Sequence, residues 1–247
     1  MLLIGFHAIK NRLNFNPKSI EKIFISSKKK DFRKDLILQL AKKNQLKVIL
    51  TDQEELNKLS SNKKNNGFLA FAEKLDTPET VNDLFDFLAV QKKKSLPPLI
   101  FLDGVTDPRN LGALLRSADA GGTAAVIAPM NHSAPLNDLA LKTSVGATEG
   151  TFYLRVPNLS RAIEIVQMRG YFVYGMDSTA AKNLYSLDLR SPVAFVFGDE
   201  AGGLKNRTRD MCDDLISLPM VGVTESLNVS VACGVTIFET LRQRRFN

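Results

Sequence analysis

The sequence predicts an α/β protein in which a small α/β module precedes a larger parallel sheet. Three observations lead there. Val193-Ala194-Phe195-Val196-Phe197 and Leu215-Ile216-Ser217-Leu218 are near-continuous apolar runs, as expected of strands covered on both faces in a parallel sheet. From residue 97 onward such runs alternate with segments of helical periodicity, the pattern of successive βαβ units. The formal net charge of +7 over 247 residues is unevenly held: residues 1–75 carry 16 Lys/Arg against 7 Asp/Glu, residues 76–96 carry 3 against 4, and residues 97–247 carry 14 against 15. The chain therefore reads as a basic domain over 1–75, a linker over 76–96 and a near-neutral domain over 97–247.

In the first part, Lys22-Ile23-Phe24-Ile25 reads as a strand and Asp31 to Asn44 as an amphipathic helix with Leu36, Leu40 and Ala41 on one face. Lys47 to Leu50 is a second strand, followed by a short helix from Gln53 that Asp52 is placed to cap. Asn65-Asn66-Gly67 is a turn signal that leads into the strand Phe68 to Ala72. In the linker, Thr77-Pro78-Glu79 opens a helix carrying Val81, Leu84, Phe85 and Leu88, and Pro97-Pro98 marks its far boundary. The strands Leu99–Leu102, Ala124–Ile127 and Tyr171–Tyr174 then alternate with helices over 111–120, 136–145 and 160–169. A final helix, Val229 to Arg245, sets Val231, Val235, Phe238 and Leu241 on one stripe and ends in Arg242, Arg244 and Arg245. Those three cations suit a helix carboxyl terminus as well as they suit RNA.

No apolar run approaches the roughly 18 residues of a membrane span, and the start has no basic, cleavable leader pattern. Cys212 and Cys233 are the only cysteines. They stand in no metal-ligand spacing and make a poor disulfide framework, so they read as reduced thiols of a cytoplasmic protein. Positive charge concentrated in one domain is the usual footprint of a phosphate-backbone partner. Lysines that merely solubilise a small domain account for it equally well.

Three segments carry the chemistry. In Leu102-Asp103-Gly104-Val105-Thr106-Asp107-Pro108-Arg109-Asn110-Leu111-Gly112, Asn110 is placed to cap a helix and Gly112 allows close backbone approach. Arg116, six positions after Asn110, adds a planar fork that matches phosphate, or a salt bridge to Asp119 or Asp103. In Phe197-Gly198-Asp199-Glu200-Ala201-Gly202-Gly203-Leu204, Glu200 stands where a dinucleotide fingerprint needs its middle glycine, which excludes that site. In Leu218-Pro219-Met220-Val221-Gly222 and the following Ser226-Leu227-Asn228-Val229-Ser230, short polar residues gather before the last helix. There Leu218, Met220 and Leu227 with exposed backbone amides suit an adenine ring. Each segment is a strand end leading through a loop into a helix, which faces a cleft at the carboxyl ends of strands.

In this order the three segments resemble the SpoU branch of the knotted (SPOUT) RNA ribose 2′-O-methyltransferases. The resemblance is strong over residues 97–247. It is weaker over the amino-terminal part, where Gly5-Phe6-His7-Ala8-Ile9 and Asn66-Gly67-Phe68-Leu69-Ala70 carry it toward the family's small substrate-binding domain. The family often has His-Gln-Gly where this chain has Asn65-Asn66-Gly67, and His7 is read as a structural or RNA-contact residue. The resemblance implies a deep carboxyl-terminal trefoil knot, a homodimer, and S-adenosylmethionine contacted by Phe197, Gly198, Leu218, Met220 and Leu227. It implies a catalytic set of Asn110, Arg116, Glu200, Ser226 and Asn228, with no metal. The nearest pattern is that of enzymes acting on a guanosine of 23S rRNA. Transfer RNA as substrate and a catalytically silent RNA-binding protein are the alternatives.

Overall fold

The computed structural model describes residues 1–73, 77–91, 95–199 and 202–246. The chain divides into two compact units, Met1–Asp76 and Thr77–Asn247.

The smaller unit is a four-stranded sheet of order β1-β4-β2-β3, with β1 Leu2–Ile4, β2 Ile20–Ser26, β3 Val48–Thr51 and β4 Phe68–Ala72. β2 and β3 are parallel, and β4 is antiparallel to both β1 and β2. Helices α1 Phe6–Phe15, α2 Phe32–Lys43 and α3 Gln53–Leu59 connect them. Asp31 and Asp52 cap α2 and α3 by accepting from the N–H groups of Lys34 and Glu55. β1 and α1 carry no strong periodic signal and were not expected. Their Leu3, Phe6, Ile9 and Leu13 are buried together with Ile23, Ile25, Ile37 and Phe68.

The larger unit holds a seven-stranded sheet in which every neighbouring pair is parallel. Its order is β7-β6-β5-β10-β8-β11-β9, with β5 Leu99–Asp103, β6 Ala125–Pro129, β7 Phe152–Val156, β8 Phe172–Met176, β9 Lys182–Asn183, β10 Val193–Gly198 and β11 Asp214–Ser217. Of the two runs expected to be covered on both faces, Val193–Phe197 is so in β10, which lies with the fully buried β5 at the centre. Leu215–Leu218 is not: it gives β11, one strand from the edge, where Ile216 alone is buried. Helices α4 Val81–Val90, α5 Pro108–Ala120, α6 Asp138–Ser144, α7 Leu159–Met168, α8 Asn206–Asp210 and α9 Val229–Arg245 complete the unit. Thr80 and Asp83 close a reciprocal capping box at the start of α4, so that helix begins a few residues after the expected Thr77-Pro78-Glu79. Its Val81, Leu84, Phe85 and Leu88 are buried with α7 and one face of the sheet.

α9 keeps its expected bounds but buries an unexpected face. Cys233, Thr236, Ile237, Thr240 and Gln243 point inward, while Val231 (51%) and Phe238 (49%) remain exposed. The polar face can be buried because it is satisfied. The Thr236 and Thr240 hydroxyls donate to the Ala232 and Thr236 carbonyls, each at 2.9 Å. Gln243 accepts from Leu189 N–H at 2.8 Å and donates to the Leu187 carbonyl at 3.0 Å. The terminal arginines are largely structural. Arg242 pairs with Glu239, and Arg244 donates to the carbonyls of Leu189, Leu96 and Ser191.

Candidate active site at the carboxyl edge of the larger sheet

After β5 the chain builds β6 and β7 on one side, then crosses over to build β8 on the other, with β10 returning between them. The carboxyl ends of β5 and β10 thus flank the switch point, where open parallel sheets bind ligands. Gly198 stands opposite Asp103 in register. A Cβ on Gly198 would lie 2.0 Å from the Gly203 carbonyl carbon, so only glycine fits. The chain doubles back there, with Asp199 and Gly203 exchanging backbone hydrogen bonds at 3.2 and 3.1 Å. The Asp199 side chain accepts from Gly202 N–H and lies against Gly104. Glu200, between them, lies outside the described residues. Phe197 is buried with Leu102, Leu111 and Leu115 and forms the floor of this edge.

In the sequence Asp103 stands out only as a candidate salt-bridge partner for Arg116. It is buried, and its carboxylate accepts from Lys205 N–H at 3.0 Å and pairs with the Lys205 ammonium at 3.3 Å. An acidic residue ending an otherwise apolar buried strand was the available signal, because a buried charge must be paired. At the end of β8, Asp177 accepts from the Thr179 hydroxyl at 2.6 Å and pairs with Arg209 at 2.6 Å. The Thr179 bond, followed by Arg209, holds that carboxyl below the usual range.

The cap expected at Asn110 belongs to Asp107, which accepts from Arg109 N–H at 2.8 Å. Pro108 takes the first helical position, where its missing N–H costs nothing. Asn110 therefore sits inside the first turn, and its Oδ1 accepts from Asn228 Nδ2 at 3.0 Å. Asn228 in turn caps α9, accepting from the N–H and hydroxyl of Ser230 at 2.9 and 2.6 Å. One amide pair, 118 positions apart in sequence, thus joins the amino termini of α5 and α9. Their helix dipoles converge on the same edge, which favours negative charge there.

Arg116 leaves α5 about 120° around the helix from Asn110. It is exposed and makes no hydrogen bond or ion pair among the described residues, so neither Asp103 nor Asp119 holds it. Gly112 does serve close approach, but toward the Ala140 carbonyl of α6. Ser226 is exposed in the loop before α9, as are Met220 and Leu227, while Leu218 is half-buried against the core. No backbone N–H of residues 220–227 donates a hydrogen bond among the described residues. The loop combines apolar side chains with uncommitted donors.

The sequence profile of the SpoU rRNA methylase family matches residues 97–238. The chain belongs to the SpoU rRNA methylase family. The profile of the RNA 2′-O ribose methyltransferase substrate-binding domain matches residues 2–78 of this SpoU methylase. It is 42% identical to the 23S rRNA (guanosine-2′-O-)-methyltransferase RlmB of Ralstonia nicotianae, over 98% of this chain and 96% of that protein. It is 40% identical to the RlmB of Neisseria meningitidis, over 98% and 95%. Among solved structures, the SpoU methyltransferase AviRb of Streptomyces viridochromogenes, in complex with the cofactor AdoMet, shares the fold with a TM-score of 0.72. That match has 21% identity and spans 100% of this chain and 91% of the other. The fold of this SpoU methylase is therefore the expected α/β class.

Proposed function

We propose that this SpoU methylase transfers a methyl group from S-adenosylmethionine to the ribose 2′-OH of a guanosine in 23S rRNA, as a cytoplasmic homodimer. The observation that carries the reading is the 42% identity to a 23S rRNA (guanosine-2′-O-)-methyltransferase across nearly the whole length of both chains. The basic charge of residues 1–75 supports an amino-terminal domain that recruits RNA to the catalytic domain.

The loop residues fit the cofactor. Gly198, Leu218, Met220 and Leu227 would hold it, with the uncommitted amides of 220–227 reading its polar edge and Phe197 closing the floor. Those segments would form the knot expected of the family. When bound, S-adenosylmethionine supplies a methyl already activated by the sulfonium charge. The protein's share is orientation, which lowers a barrier substantially by itself. Asn110 and Asn228 fix the two helix starts that face the reacting edge. Ser226 and Glu200 would contact the ribose. A guanidinium has donors and no acceptor lone pair to offer, so Arg116 would hold a phosphate and stabilise the developing alkoxide rather than act as base. The exposed Val231 and Phe238 of α9, with Leu139 and Leu141 on α6, support an apolar dimer face. No helix of the described residues is long and apolar enough to cross a membrane.

The test is transfer of labelled methyl from S-adenosylmethionine to unmodified bacterial 23S and transfer RNA, with the product mapped by 2′-O-methyl resistance to alkaline cleavage. One resistant ribose in 23S rRNA is expected. Label on transfer RNA alone would replace the substrate. Absence of cofactor binding would leave only an RNA-binding protein. Light scattering on the same sample reads the dimer mass.

A further inference from the structure

The carboxyl ends of β1 and β2 and the start of β4 meet at one edge of the smaller sheet, since β4 is antiparallel to both. Lys28-Lys29-Lys30-Asp31-Phe32-Arg33-Lys34 turns from β2 into α2 there, with five cations in seven positions. An aromatic residue beginning an amphipathic helix would ordinarily be covered, yet Phe32 is 70% exposed. It is also held in place. Asp31 caps α2 and pairs with Lys29 at 3.4 Å. The Phe32 ring meets Phe6 edge-on at 6.4 Å, and Phe6 meets Phe68 at 5.7 Å and His7 at 5.0 Å. The Arg33 guanidinium lies 5.9 Å from the Phe32 centroid and 5.5 Å from that of Phe6, and the Lys29 ammonium lies 5.5 Å from that of Phe68. Buried Asn65 shapes the loop entering β4 at the same edge. It accepts from Gln53 and from Gly67 N–H, each at 2.9 Å, and donates to Asn57 and Ser60 at 3.1 Å. That loop presents Lys64 to solvent.

A single braced ring among cations is a poor apolar interface for a protein but complements a polyanion that has flat faces. We propose that Phe32 is a stacking platform for one unpaired base of the RNA substrate, with Lys28, Lys30 and Lys64 engaging the flanking phosphates. The assignment rests on RNA being the substrate, and it adds a base-gripping contact to a domain whose charge alone reads only the backbone. Single-stranded bases stack on such rings irrespective of sequence.

The test uses the full chain and an unmodified 23S rRNA transcript, with filter binding at a series of salt concentrations. Phe32→Ala should raise Kd by about five- to hundredfold with the salt slope unchanged. Phe32→Leu should behave like Ala, and Phe32→Tyr should restore binding. Lys28→Ala with Lys30→Ala should instead flatten the log–log salt slope by about 1.4, at about 0.7 per single-strand phosphate. Thermal denaturation of each variant should match wild type, since the ring covers little core. A Phe32→Ala protein with wild-type Kd and wild-type KM for RNA would overturn the platform while leaving the methyltransferase intact, and would assign the ring to a protein partner. A Phe32→Tyr protein as weak as Ala would overturn it as well. A wild type that binds the transcript but transfers no methyl would overturn the proposed function and leave the platform standing. One that neither binds nor methylates it would overturn both.

Discussion

The two units place their exposed chemistry at equivalent edges, where parallel strands end and helices begin, but build it from opposite materials. At the edge of the smaller sheet the features are long side chains: Phe32, Arg33 and a run of lysines. At the edge of the larger sheet they are backbone turns pinned by short, paired groups: Gly198 against Gly203, Asp103 on the Lys205 backbone N–H, and Asn110 with Asn228. Long cationic side chains tolerate displacement and grip a polymer whose exact path varies. Short groups in close contact tolerate almost none, and methyl transfer demands that precision, since small misplacements cost orders of magnitude in rate.

The contrast can be broken first at Arg116, the long side chain on the rigid edge. Arg116→Lys should cut turnover by about 10²- to 10³-fold, the scale of losing a transition-state charge contact, while cofactor binding measured by calorimetry stays within about twofold. Unchanged turnover would remove Arg116 from the reaction. Gly198→Ala comes next. Its new methyl meets backbone that cannot move aside, so the variant should lose about 2 kcal/mol or more in urea denaturation and bind cofactor poorly. A stable variant with normal affinity would show the turn to be dispensable. Asn65→Ala tests whether the adaptable edge depends on a rigid support. It strands buried partners and should cost about 1–3 kcal/mol, with weaker RNA binding than that of a variant at an exposed lysine.

The smallest effect is at Asp119 of α5, whose carboxyl is pushed above its ordinary value of 3.8 by burial. A raised carboxyl pKa favours the fold when protonated, so its stabilising share is present at low pH and is lost as pH rises through the folded value. Asp119→Asn should therefore raise Tm slightly at pH 7, with the gain vanishing in acid. A gain that persists unchanged at pH 3 would contradict this.

A strand with two covered faces was legible in β10, because burial leaves a compositional mark, but the same mark misled at β11, an apolar run beside the sheet edge with only Ile216 buried. Also legible were α2, from its periodicity over Asp31 to Asn44, and α3, from the Asp52 cap before it; that Asp31 is itself a cap appears only in the fold. The buried face of α9 was not legible. Two members of its apolar stripe, Val231 and Phe238, point outward while Val235 packs on the core, and the face that packs inward hides two threonines and a glutamine whose bonds run to carbonyls one turn back or to residues 187 and 189. The site shows the same division. Gly198 and Asn228 stand out as loop residues in short motifs, but the pairing of Asn228 with Asn110, and of Asp103 with Lys205, is a property of folded distance. The displaced cap at Asp107 followed from Pro108, a local rule that outweighs the pull of Asn110.

Arg244 closes three carbonyl partners around the end of α9, one of them Leu96, 148 positions upstream. The catalytic sheet cannot complete its enclosure until residue 244 has been synthesised. The core of the smaller unit, by contrast, is drawn wholly from residues 3–72 and can form while the rest is still being made. The residues of the basic unit's core have thus all been made about 170 residues before Arg244, so translation offers the smaller unit the first opportunity to fold.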